Sequence, residues 1–299
     1  MEHLVLHVGA PKTGTSLVQK AVIANRELFL KHGYTTLVRH DFDEVTDKLH
    51  GRWRRHGLGY GTLDRAVAHL AEATKDAKNL LISHEDLLGP IGAFRQGVLY
   101  GEAGAVLERI HEALAPQRTT VLLYVRQQDR YLESVYLQIV RQGGTITFDE
   151  FMAQVTPESL RWDDLVDRMA VALPSDAEVK VNYFESIKDR GARDFCRDFV
   201  REFAPQVKVK LPFNTSGVNR GWSDQALQIG LAGNAVLQGD DRRRLRRFLD
   251  ENLSNVTHPK PVLLSDEQRA DLLGELRAPN EKLHEYTGRP GTSPYVPAD

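Results

Sequence analysis

The 299 residues suffice for one large α/β domain or for two domains of about 150 residues each, and 41% apolar with 27% charged residues exclude global disorder. Lys and Arg number 39 against 41 Asp and Glu, a formal charge of −2, so no broad field draws the chain to nucleic acid or anionic lipid, and any anion site must be local. No stretch approaches the roughly 20 consecutive apolar residues of a membrane span, MEHLVLH lacks the basic and long apolar regions of an export signal, and the single cysteine, Cys196, makes no internal disulfide: the expectation is a cytoplasmic protein.

The chain opens on LVLHV (4–8), an apolar run that predicts a strand. GAPKTGTS (9–16) turns into a helical pattern over 16–31, and a weaker strand follows at GYTTL (33–37). HGRWRRHGLGYG (50–61) reads as a basic, glycine-rich loop, solvated or acceptor-binding, in which Arg52, Trp53 and Arg55 are candidate substrate contacts because aromatics stack on sugars and arginines pair with carboxylates. His40, His50 and His56 lack metal-ligand spacing. A helix over 63–77 leads to the strand NLLISH (79–84), a helix over 104–115 to TTVLLYV (119–125), and one over 129–142 precedes EVKVNYF (178–184). Strands apolar on both faces and separated by helices long enough for crossovers predict a parallel sheet of about five strands covered by helices.

Beyond residue 185 the pattern is helical, over 190–203, 223–236, 240–253 and 265–286. Cys196 lies in the first of these as an inert thiol. The polar segment KLPFNTSGVNRGWS (210–223) reads as a functional loop, DDRRRLRR (240–247) as a solvated helix face, and GRPGTSPYVPAD (288–299) as an extended surface tail. The organisation expected is a single domain over 1–299, with an α/β nucleotide-binding core to 205 and a loop plus helical extension over 206–299.

A strand, a glycine loop and a helix in succession form a cradle for phosphate, built from backbone N–H groups and a helix N-terminus. Gly9 and Gly14 have the spacing of the nucleotide-triphosphatase loop, but Thr15 stands where its lysine belongs, and the lysine is Lys12. PKTGTS instead resembles the 5′-phosphosulfate loop of sulfotransferases that use 3′-phosphoadenosine 5′-phosphosulfate (PAPS). YVRQQDRYLESVY (124–136) resembles that family's 3′-phosphate segment: a strand end, Arg126, Ser134 eight residues on, and an aromatic, Tyr136. NYFESIK (182–188) resembles its adenine-stacking strand end, with Phe184 in place of tyrosine, and SGVNRGWSDQAL (216–227) resembles the segment that closes over the nucleotide, with Asn219 and Arg220 as phosphate neighbours. Leu17 stands where animal cytosolic members carry tryptophan, which points to a bacterial or carbohydrate-type branch.

The resemblance implies a P-loop-like fold and sulfuryl transfer from PAPS to a hydroxyl or amine, leaving adenosine 3′,5′-bisphosphate and requiring no metal. Pro11, Lys12, Thr13, Gly14, Thr15 and Ser16 would hold the 5′-phosphate, and Lys12 would stabilise the leaving group. A base is expected at the end of the strand 79–84, where a parallel sheet presents residues to its ligand crevice. His84 and Glu85 are the candidates, and the S-x-E spacing of Ser83 and Glu85 resembles that of bacterial members, a likeness that favours Glu85. A divergent P-loop nucleotide kinase and a non-catalytic nucleotide-binding protein of the same fold are the alternatives.

Overall fold

Alternating apolar strands and amphipathic helices fold into a five-stranded, wholly parallel sheet covered by helices on both faces, as the strand pattern predicts. The computed structural model describes residues 1–92, 97–211 and 221–296, apart from the side chains of 50 and 54–56. The strands are β1 (His3–Gly9), β2 (Tyr34–Val38), β3 (Asn79–Ser83), β4 (Arg118–Val125) and β5 (Glu178–Tyr183), ordered β2-β3-β1-β4-β5. In register, Leu4 lies beside Leu80 and Thr119, and Val121 beside Val179. The helices are α1 (Thr15–Ala24), α2 (Arg26–Lys31), α3 (Arg39–Val45), α4 (Leu49–His56), α5 (Tyr60–Ala73), α6 (Ala103–Leu114), α7 (Gln128–Arg141), α8 (Phe148–Met152), α9 (Trp162–Val171), α10 (Ser186–Arg201), α11 (Asp224–Val236), α12 (Gly239–Asn252), α13 (Asp266–Glu275) and α14 (Arg277–Glu285).

The period of two along each strand divides the core. Leu4, Leu6 and Val8 of β1 face one layer with Leu80, Ile82, Val121 and Leu123, packed against α5, α6, α7 and α9. Val5, Leu81, Leu122 and Tyr124 face the other, against Leu17, Val18 and Val22 of α1 and Phe195 and Phe199 of α10. Burial on both sides explains why these strands read as continuous apolar runs. Trp222, Leu227, Leu249, Leu276, Leu283 and Tyr295, all beyond residue 205, join the first layer.

Four expectations are corrected. The helix expected over 16–31 is two helices, because the Asn25 amide donates to Ala21 O (2.7 Å) and Lys210 O (2.6 Å) and accepts from Lys210 N (2.8 Å), fixing a break. The helix expected over 265–286 breaks at Leu276, one turn before Pro279, which has no N–H to continue it. The segment 50–61 is mostly helical, in α4 and the start of α5, and the Trp53 side chain lies in the first core layer instead of being presented to an acceptor. Arg52 is paired with Asp47, and the Arg55 side chain lies outside the described residues. The tail is a surface segment only in part: 288–292 are exposed, but Ser293 and Tyr295 are buried, and Tyr295 sets its ring edge-on to Tyr183 at 4.7 Å and donates to Glu185 Oε2 at 2.6 Å.

The chain leaves β1 toward β2 and β3 on one side and reaches β4 and β5 on the other. The crevice beyond the carboxyl ends of β1 and β4 is therefore the topological switch point, where open parallel sheets bind ligands. No described helix is long and apolar enough to cross a membrane.

Gly9 closes β1 with φ +94°, and a Cβ there would sit 2.8 Å from Glu85 O and 2.9 Å from Glu85 Cα. Both the conformation and the backbone contact demand glycine. Gly9→Ala is expected to destabilise the fold by about 2 kcal/mol or more, read as a lower urea midpoint with an unchanged slope.

Candidate functional site

A cleft of about 770 Å³ opens at this switch point. Each of the five strands ends by delivering a residue to its wall. Lys12 follows β1, Arg39 follows β2, Glu85 lies two residues past β3, Arg126 follows β4, and Phe184 follows β5. Pro11, Gly14, Thr15, Ser16 and Ser134 line the same space, so the sequence candidates of the loop and of the 124–136 segment come together here. Asn219 and Arg220 lie outside the described residues.

The loop after β1 is held from within. Thr13 is buried and donates its hydroxyl to Ala10 O at 2.6 Å, so that side chain shapes the turn and offers a ligand only its N–H. Lys12 (φ 71°) and Gly14 (φ 84°) are both left-handed, a geometry that turns successive N–H groups toward one concavity. A Cβ on Gly14 would press on Phe195 and Phe184 at 3.1 and 3.2 Å. Leu17 and Val18 N–H both turn back to Gly14 O, and among the described residues the amides from Lys12 to Ser16 meet no protein acceptor outside α1.

Lys12 belongs to the loop and Arg126 touches its backbone. Lys12 Nζ donates to Gln138 Oε1 at 3.3 Å, and Arg126 Nη1 donates to Lys12 O at 3.1 Å. The Arg126 guanidinium also lies over the Phe184 ring, 5.2 Å from its centroid, a favourable cation–π contact that carries no countercharge. Among the described residues neither cation has an ion-pair partner. The two carboxylates within reach on α7 are diverted: Arg269 of α13 pairs with Asp129 at 2.6 Å and with Glu133. Arg141 pairs with Asp250 at 2.8 Å. Burial, with Arg141 and Arg126 adding repulsion, lowers the Lys12 pKa to about 8, and burial lowers that of Arg126 despite the attraction of Glu185. Positive charge that the protein leaves unpaired in a partly dry cleft is a site for an anion.

The base candidates separate. His84 is fully buried: its Nδ1 accepts from Asp86 N–H at 3.1 Å, Nε2 lies 3.5 Å from Asp43 Oδ1, and its ring meets Phe42 edge-on. It does not reach the cleft, which corrects its candidacy as a base. Glu85 does reach it. Burial works to raise the Glu85 pKa, but Arg39 and the hydrogen bonds around the carboxylate outweigh this and hold it below the ordinary value. Ser83 turns the other way, to His7 Nδ1 at 2.8 Å, where burial holds the imidazole neutral with a pKa of about 4. Cys196 is buried, and burial pushes its thiol up to about 12.

Arg39, Gln19, Gln138 and Arg141 were not candidates from the sequence. Arg39 carried a usable signal, since it stands at a strand's carboxyl end like the others. The remaining three are polar positions on helix faces whose direction only packing reveals. A scan of protein-family models and a search of curated proteins matched nothing to this chain.

Lys12 offers a test of the cleft's electrostatics. Its pKa is depressed in the folded state, so between about pH 8 and the unfolded value the unfolded chain binds more protons, and stability rises with pH across that window. Lys12→Met removes the buried charge, and at pH 7 it is expected to stabilise the protein by about 1 kcal/mol while weakening binding of inorganic sulfate. In the unaltered protein sulfate binding should fall as pH rises past about 8. Urea unfolding at pH 7 and 9.5 and sulfate titrations check both.

Proposed function

We propose that this protein is a sulfotransferase of P-loop-like fold that moves the sulfuryl group of PAPS to a hydroxyl or amine. The observation that carries the reading is the meeting, in one cleft at the β1/β4 switch point, of the PKTGTS loop, Arg126 and Ser134, with Lys12 and Arg126 unpaired by any described carboxylate. A donor with phosphates at both its 3′ and 5′ positions matches two cations that line one cleft.

In this reading the amides of Lys12 to Ser16, with the Thr15 and Ser16 hydroxyls, hold the 5′-phosphate. Arg126 and Ser134 hold the 3′-phosphate, and Phe184 flanks the base. As the S–O bond to the departing phosphate breaks, its electron pair stays on that oxygen, where the Lys12 ammonium neutralises it. The acceptor oxygen bonds to sulfur and its proton passes to Glu85. The remaining structure of the site supports this division: cations line the loop side, and the carboxylate stands at the end of β3.

Calorimetry with adenosine 3′,5′-bisphosphate tests the reading. Binding without Mg²⁺ is expected, weakened about 100-fold by Arg126→Ala. Glu85→Gln should keep that binding and lower transfer about 10²–10⁴-fold. Preference for Mg-ATP would overturn the proposal in favour of a nucleotide kinase.

A further inference from the structure

Arg39 makes three ion pairs at the wall of the cleft. Its Nη1 donates to Glu85 Oε1 at 2.7 Å, its Nη2 pairs with Asp86 Oδ2 at 3.0 Å, and Nε lies 3.9 Å from Asp43 Oδ2. One guanidinium thus stands against three carboxylates. From the opposite side Gln19 of α1, the helix that follows the anion loop, donates its amide to Glu85 Oε2 at 2.7 Å and to Ser83 O at 3.2 Å. Each Glu85 oxygen is therefore gripped by a side chain from another element, and the Glu85 backbone N–H adds a further bond to the carboxylate. A carboxylate has about four lone-pair sites in all, so these bonds do not use every one. Two side chains from different elements, gripping different oxygens, fix both the position and the plane of the carboxylate.

We propose that Arg39 is a positioning residue for Glu85: it fixes the carboxylate at the wall of the cleft, ionised and turned to take the proton of the acceptor. The proposal rests on the sulfuryl-transfer reading and extends it to a residue that neither the loop motif nor the 124–136 segment contains. A pair kept only for stability would contribute little, because Arg39 is about one-third exposed and such bridges are screened. The geometry is specific to the fork of arginine, whose two terminal nitrogens reach two different carboxylates at once. The charged and titratable groups around Glu85 are Arg39 and Asp43 of α3, His7 of β1, and His84 and Asp86 of its own segment. Removing Arg39 leaves three carboxylates together, and Glu85 must then bind a proton more readily.

The test uses the full chain with PAPS, and water as acceptor, following release of adenosine 3′,5′-bisphosphate across pH. In this reaction the S–O bond to the donor phosphate breaks, sulfur bonds to the water oxygen, and the water proton passes to Glu85. In Arg39→Gln the acid limb of the rate is expected to move up by about one pH unit or more. At pH 7, where Glu85 remains ionised, misorientation should lower kcat about tenfold while the Kd for the bisphosphate stays within about twofold. Arg39→Lys should retain the fold and recover part of the limb's shift but little of kcat, because an ammonium cannot span both carboxylates. Independently of turnover, the ¹³C resonance of the Glu85 carboxyl, assigned by its loss in Glu85→Gln, should titrate higher in Arg39→Gln by the same interval.

An unmoved acid limb and an unmoved Glu85 titration, or a loss lying wholly in Kd, overturn the role of Arg39 and leave sulfuryl transfer standing. Failure of the unaltered protein to bind the bisphosphate overturns the sulfuryl-transfer reading itself, and the positioning role with it.

Discussion

Two cations, Lys12 and Arg126, share one cleft without a described carboxylate between them, joined by the hydrogen bond from the Arg126 guanidinium to the Lys12 carbonyl. That arrangement opposes folding. Each cation has lost water, and Arg126 and Arg141 both add repulsion at Lys12. Much of the surrounding structure serves to hold it in place. Arg126 lies across the Phe184 ring, its backbone carbonyl accepts from Trp162 Nε1 at 3.0 Å, and Glu185 is turned aside to Gln127 N–H and to Tyr295.

The carboxyl-terminal helices contribute to that electrostatic state as much as to the core. Arg269 of α13 takes up Asp129 and Glu133, the two acids of α7 that would otherwise neutralise Arg126. Asp250 of α12 takes Arg141 and also accepts from Trp222 Nε1 at 2.7 Å. Charge on one wall of the cleft is thus settled by residues more than 100 positions away in the chain. The opposite wall follows the same logic with the signs reversed, for there Arg39 compensates the acids around Glu85.

A parallel sheet makes this convergence possible, because all five strands end at the same edge. Close approach does the rest. Gly9 lets the end of β1 touch the backbone of Glu85, and Gly14 lets the loop rest on Phe184 and Phe195. The base candidate, the cation loop and the aromatic beyond β5 are therefore tied through contacts that a single methyl group would disturb.

By itself the sequence determined the strands, their parallel arrangement and the candidate cation loop, because apolar runs buried on both faces and a glycine turn between strand and helix are local patterns. It also placed Arg126 and Glu85 at strand ends, and both reach the cleft. Beyond the S-x-E likeness that favoured Glu85, local pattern could not show which of His84 and Glu85 faces the cleft, since adjacent residues leaving a strand point opposite ways and only packing against Phe42 shows which one turns inward. Nor could it show Trp53 entering the core, or Tyr295 folding back from a Pro- and Gly-rich tail to bond Glu185. Tertiary structure alone decided which charges are compensated. Arg269 and Asp129 are 140 residues apart, and whether a buried cation stays unpaired depends on distances across the fold that spacing along the chain does not encode.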